Sequence, residues 1–139
     1  MHQMQTELTV STSGQGLYEI TDAARAFASK AGMGTGQLTV YCRHTSASLL
    51  IQENADRDVQ RDLVAFFRRL VPDGDPLFVH TIEGPDDMPA HVKSALTQTS
   101  ITIPIMRSVL ALGTWQGLYL FEHRCRPHVR SVVLHAVGA

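Results

Sequence analysis

Between His80 and Lys93 the chain gathers two imidazoles, three carboxylates and an amine: His80, Glu83, Asp86, Asp87, His91 and Lys93. Gly84-Pro85 interrupts regular structure within this run. Asp86 or Asp87 can then cap a helix, and Pro89 falls in its first turn, where no amide partner is missed. Asp87 and His91 stand four apart and share a face of that helix. Met88, Val92, Ala95 and Leu96 form the adjacent apolar stripe, so polar chemistry and packing occupy different sides.

The chemistry such residues suit is metal ligation or proton transfer. His44, His80 and His91 form the candidate ligand set, because a neutral imidazole offers a nitrogen lone pair to zinc and related ions. Three protein ligands and one open position describe a catalytic ion, whose water has a pKa of ~7 in favourable cases. Glu53, Glu83 and Asp87 are placed to orient the rings or to bind a substrate-linked ion. Against this, the residues also read as ordinary polar groups near loops, since the chain has no HExxH or CxxC pattern. His44-Thr45-Ser46-Ala47-Ser48 offers a nucleophile in Ser46, but without the GxSxG elbow. Anion contact through the Thr45 and Ser46 hydroxyls and backbone amides is the better reading, with Lys93 and Arg43 as further anion contacts by type. Cys125, between Arg124 and Arg126 and close to His123, is either a thiol of lowered pKa or a strand-end cysteine beside solvated arginines. No glycine-rich strand-to-helix loop is present, so no nucleotide cofactor is expected.

The elements that must position these groups follow from periodicity. Met4–Val10 alternates as a half-buried strand, and Leu17–Ile20 is a second. Thr21 resembles an N-cap for a helix with Ala24, Phe27, Ala28 and Ala31 on one face and Gly32 at its end. Gln37–Arg43 alternates, Ser48–Gln52 is a short apolar strand, and Asn54 is a candidate cap for a helix carrying Val59, Leu63, Phe66 and Leu70. Leu77–His80 reads as extended. Beyond the site helix, Ser100–Ile105 alternates, with Pro104 indicating an edge or an end. Leu118–His123 and Val129–Val137 complete the strands. His135 shares a side with Val133 and Val137 and reads as an interior or interface residue. Helices interspersed among runs of strands specify an α+β fold with about three helices and a mixed, largely antiparallel sheet.

One domain, 1–139, accounts for the length, which suffices to bury roughly 70% of the unfolded surface. A net charge of -1 excludes an electrostatic case for nucleic acid or an anionic membrane. No segment approaches the roughly 20 apolar residues of a membrane span. Cys42 and Cys125 allow one bridge at most, and both read as reduced, in the cytoplasm.

Leu110-Ala111-Leu112-Gly113-Thr114-Trp115-Gln116-Gly117 is an unusual string for a loop entering a strand, with Trp115 as a large apolar anchor. Together with His44–Ser48, Glu53-Asn54-Ala55-Asp56 and Glu83–His91, it resembles the YjbQ-like family of small bacterial and archaeal proteins, over nearly the whole chain. The resemblance implies an α+β fold with mixed, largely antiparallel sheets packed as a sandwich, a homotrimer and the activity often attached to such proteins, secondary thiamine-phosphate synthase. That reaction joins an aminopyrimidine diphosphate to a thiazole phosphate, and a divalent ion (zinc or magnesium) or cationic groups would stabilise the leaving diphosphate. The resemblance carries His44, His80 and His91 over as the site, with Glu53, Asp87, Thr45 and Ser46 as companions. From the residues alone, a binding module for a small phosphorylated metabolite and a metal-dependent hydrolase remain open.

Overall fold

Alternating apolar side chains build most of the molecule. The computed structural model describes residues 1–139. In chain order the elements are β1 (His2–Thr12), β2 (Gly16–Glu19), α1 (Thr21–Ala31), β3 (Thr35–Cys42), β4 (Ala47–Glu53), α2 (Arg57–Leu70), α3 (Asp87–Leu96), β5 (Ser100–Met106), β6 (Val109–Leu110), β7 (Gln116–Glu122) and β8 (His128–Gly138). Five strands form one sheet in the order β1-β8-β3-β5-β6, and three form another, β2-β7-β4. Every strand pairing within them is antiparallel, and the class is α+β.

The inner faces of the two sheets meet through Leu38, Val40, Ile103, Val132 and Leu134 on one side and Leu49, Leu118 and Leu120 on the other. Ala24, Phe27 and Ala28 of α1 complete this core. Because side chains alternate along β8, Ser131, Val133, His135 and Val137 turn to the opposite face, which no other element of the chain covers. His135 is half-buried there, paired with Gln3 at 3.1 Å. Strand β7 departs from polar–apolar alternation because both its faces are covered. Phe121 meets Phe67 of α2 edge-on at 5.4 Å, and Tyr119 accepts a hydrogen bond from Gln60 at 2.9 Å.

Local expectations shift in four places. Ile20, not Thr21, occupies the N-cap of α1, and the Thr21 hydroxyl instead donates to Glu19 at 2.7 Å and accepts from the Leu118 amide at 2.9 Å. Asp56 rather than Asn54 caps α2, accepting from the Asp58 amide at 2.9 Å. Leu77–His80 is not extended: Asp75 turns the chain by accepting from the Leu77 amide, and no strand edge receives the segment. Trp115 anchors nothing in the core, standing 62% exposed. The edge expected at Pro104 is present, since only the two-residue β6 lies beyond β5. Cys42 and Cys125 are not bonded to each other. No helix is long and apolar enough to cross a membrane.

Candidate metal centre and adjoining cleft

The site begins at the N-terminus of α3, where Arg124 at the end of β7 gathers the preceding loop. Its Nε donates to Asp86 at 3.0 Å, Nη1 to Asp87 Oδ1 at 2.8 Å and Nη2 to the Glu83 carbonyl at 2.9 Å. Asp86 holds the N-cap position but does not cap with its side chain; its carboxylate also takes the Cys125 amide at 2.9 Å. Gly84 makes the turn possible with a φ of 105°.

Asp87 is 2% exposed. With Oδ1 committed to Arg124, Oδ2 lies 2.8 Å from His80 Nε2 and 3.1 Å from His91 Nε2. Burial alone would raise its pKa, but the His80 hydrogen bond and the charges of His91 and Arg124 outweigh this and keep the carboxylate below its ordinary range. The three ligand-type atoms lie within 4.8 Å of one another.

The other nitrogen of His91 defines the chemistry. Nδ1 is 2.9 Å from the Thr45 carbonyl, an acceptor only, so Nδ1 carries a proton. A neutral ring then has only a lone pair at Nε2, and that lone pair would face a carboxylate oxygen. The contact is favourable only if the ring is doubly protonated or a cation sits between the two. An imidazole whose far nitrogen donates to a backbone carbonyl while the near one faces a carboxylate is the arrangement that orients a metal ligand.

Beside His91 opens a cleft of about 750 Å³, whose walls include Arg43, His44, Thr45, Ser46, Ser94 and Thr99. The loop from His44 to Ala47 spends its carbonyls inward. Thr45 O faces His91, Ser46 O accepts from Arg130 at 3.3 Å, and Ala47 O accepts from Ser94 at 3.2 Å. Thr45 and Ser46 both line the cleft, and their amides have no protein partner. Arg130 is itself buried, paired with Glu122 and donating to the Ser46 hydroxyl at 3.1 Å.

The expected histidine trio is therefore only partly assembled. His80 and His91 converge, and the third partner is Asp87, not His44. His44 Nε2 accepts from the Ser131 amide at 2.8 Å, so its proton resides on Nδ1 and its lone pair is spent. Burial first, then the Arg130 charge, lowers its pKa. It lines the cleft as a neutral donor. Glu53 is at the far end of β4, about 20 Å of extended strand away from Ala47, and does not join the site. Lys93 is 3% exposed and lies on neither the cleft wall nor the ligand cluster, and burial lowers its pKa. Ser46 has no hydrogen-bonded base to activate it. The Cys125 thiol is pushed up, not down, by burial and by the carboxylates of Asp86 and Asp73.

Sequence reasoning missed Arg124, Glu122 and Arg130. The available signal was Glu122-His123-Arg124, a polar run directly following the apolar Leu118–Phe121. His123 is buried, with Nε2 at 2.8 Å from Ser48 Oγ, and burial pulls its pKa to about 3.

The family model described as UPF0047 protein YjbQ-like matches residues 6–139. This chain belongs to the YjbQ-like family. Among its YjbQ-like relatives, the UPF0047 protein sll1880 of Synechocystis is 52% identical over 136 residues, covering 98% of this chain and 92% of the relative. The UPF0047 protein YjbQ of Escherichia coli O157:H7 is 38% identical over 135 residues, 96% of this chain and 97% of its own. An uncharacterized YjbQ/UPF0047 protein from Clostridium acetobutylicum, of known crystal structure, superposes with a TM-score of 0.88 at 32% identity, covering 95% of this chain and 99% of that one. The hypothetical protein APE1520 from Aeropyrum pernix gives 0.89 at 28%, covering 98% and 99%. The YjbQ-like fold thus extends over the whole candidate site.

Proposed function

We propose that this protein is a divalent-metal enzyme acting at the phosphate of a small molecule, with His80, Asp87 and His91 as ligands and the Thr45–Ser46 loop as the phosphate cradle. The observation that carries this reading is Asp87 Oδ2 shared between two imidazole nitrogens while His91 Nδ1 is committed to a carbonyl. Two nitrogens and one oxygen suit zinc better than magnesium, which prefers oxygen ligands. A bound ion would polarise a phosphoryl oxygen and neutralise charge on a leaving phosphate. The chain's own groups do the rest: the amides and hydroxyls of Thr45 and Ser46 hold phosphate oxygens, Arg43 adds charge, and His44 Nδ1–H donates from the cleft wall. Condensation of an aminopyrimidine diphosphate with a thiazole phosphate, the thiamine-phosphate synthase reaction, is the first to assay: there the thiazole nitrogen bonds to carbon as the C–O bond to diphosphate breaks, and the same donors would neutralise the departing diphosphate. We further infer a homotrimer, for which the uncovered face of the larger sheet supplies a surface; light scattering measures its mass directly.

Metal analysis of the purified protein is expected to find one ion per chain, lost in His91→Ala. Unchanged metal in that variant would remove the ligand assignment. Arg124→Ala frees Asp87 Oδ1 and is expected to weaken metal affinity by about 10–100-fold, the usual cost of an outer partner, measured by chelator competition. A non-catalytic phosphometabolite-binding module is the second reading, favoured by Arg43, Thr45 and Ser46 on the cleft wall without the candidate catalytic carboxylate Glu53. Phosphate-dependent thermal stabilisation without turnover of the precursor pair would select it.

A further inference from the structure

Two strings of the sequence take no part in the buried core or in the site: Glu53-Asn54-Ala55-Asp56 and Gly113-Thr114-Trp115-Gln116-Gly117. The fold brings them together where β4 ends and β7 begins, with Glu53 opposite Gln116 and the Asn54 amide donating to the Trp115 carbonyl at 3.0 Å. Gly113 and Gln116 close a turn on each other: the Gln116 amide donates to the Gly113 carbonyl at 3.1 Å, and the Gly113 amide to Gln116 Oε1 at 2.8 Å. A Cβ at Gly117 would lie 2.9 Å from both Asn54 Cβ and Glu19 Oε2, so glycine lets the strings close on each other. This order holds Trp115, the single tryptophan, out into solvent on a fixed backbone. A rigidly presented indole suits the anchor of a protein interface, where a large area is buried at little entropic cost. Its own chain gives it no such pocket, because the paired β4 and β7 put about 20 Å of strand between this pole and the His91 cleft.

That cleft has the matching surface. Its walls carry Arg43, His44 and His91 and no carboxylate, although Arg43 also reaches Glu7 at 3.1 Å. The pole around Trp115 carries Glu19, Glu53 and Asp56 against the adjacent Arg57. Tyr41 and Ala95, both exposed, give the cleft apolar surface for an indole, and the Ser94 and Thr99 hydroxyls offer acceptors for its N–H. Tyr41 pairs with Val133 on the uncovered face of the larger sheet, so the cleft and that face are continuous.

We propose that copies of this chain assemble head to tail, the partner subunit's Trp115 entering the His91 cleft, so that each site is lined by two subunits. Contacts between unlike surfaces close into a ring when the rotation allows, which a trimer requires. The indole covers the open side of the cleft and leaves the Thr45–Ser46 wall to the phosphate. This rests on the reading of that cleft as the site and on the trimer inferred with it, and it adds which surfaces meet and what each site borrows.

The test joins light scattering to tryptophan fluorescence, which here reports on Trp115 alone. Wild type is expected to be a trimer whose emission lies to the blue of tryptophan in water and resists quenching by acrylamide. Ala95→Arg places a long cation at the exposed cleft wall, far from Trp115 in its own chain, and is expected to shift that emission to the red and reduce the mass to one chain. Trp115→Ala is expected to show the same loss of mass. Zinc content is expected to stay at the wild-type value in both, because His80, Asp87 and His91 belong to one chain. A trimer whose Trp115 emits as a water-exposed indole, or whose emission Ala95→Arg does not move, overturns the shared site and leaves that side chain to another occupant, with the metal and phosphate readings intact. A wild type of single-chain mass overturns the trimer and the shared site together. The expected emission and mass changes in a protein that holds no zinc support the shared cleft and overturn the metal reading.

Discussion

Asp87→Asn is expected to reduce zinc affinity by more than ~100-fold, beyond the range seen for outer partners, and to remove turnover with it. The amide keeps the shape of the carboxylate, so packing around the α3 N-terminus is retained. What it loses is the negative charge that both imidazoles face. Arg124 keeps Asp86 and the Glu83 carbonyl, so the loop stays anchored. Glu53→Gln is the control, and its metal content is expected to match wild type because the length of β4 separates it from the cluster. Isotopic zinc retention after dialysis distinguishes the two. Equal loss in both variants, or in neither, would show that the cluster is not the metal centre.

The second large effect is on stability. Glu122 is fully buried, and its two oxygens take Arg130 Nε at 2.7 Å, Arg130 Nη2, Thr12 Oγ1 at 2.6 Å and the amides of His123 and Arg124. Glu122→Gln leaves the Arg130 charge buried without its partner and is expected to cost about 3–5 kcal/mol in urea unfolding. Replacing the pair together, Glu122→Leu with Arg130→Met, is expected to cost less, since no lone charge remains. Burial alone would raise the Glu122 pKa, but the hydrogen bonds from Arg130 and Thr12 outweigh it, and the folded-state value lies below the ordinary one. Its contribution is therefore fully present above the unfolded pKa of about 4.3 and lost as pH falls through the folded value. Wild type is expected to lose stability over that acid window more steeply than Glu122→Gln. A variant within about 1 kcal/mol of wild type and with the same acid profile would mean that the pair carries no net stabilisation.

Much of the fold was readable from local pattern. The alternation of Met4–Val10, Gln37–Arg43, Ser100–Ile105 and Val129–Val137 marked four strands of the larger sheet, because side-chain direction repeats every two residues whatever the partner strand. The Gly84-Pro85 break, the helix after it and the shared face of Asp87 and His91 were equally local, and the structure keeps them. His44 could not be resolved this way. Its motif stands at the end of β3, but the Ser131 amide that takes its lone pair comes from β8, which is distant in sequence. Glu53 was drawn to the site by type, and only the direction of β4 shows that it points to the other end of the molecule.

Sequence alone determined the α+β class and the placing of His80, Asp87 and His91 around one loop and helix start. These depend on periodicity and on spacings of a few residues, which short-range sterics enforce. Tertiary structure decided that Asp87, not His44, joins His80 and His91, that Arg124 aims it, and that Arg130, paired with Glu122, holds the Ser46 carbonyl and hydroxyl. Each of those depends on a buried charge finding its partner across strands and loops, and only the closed chain determines which partner it meets.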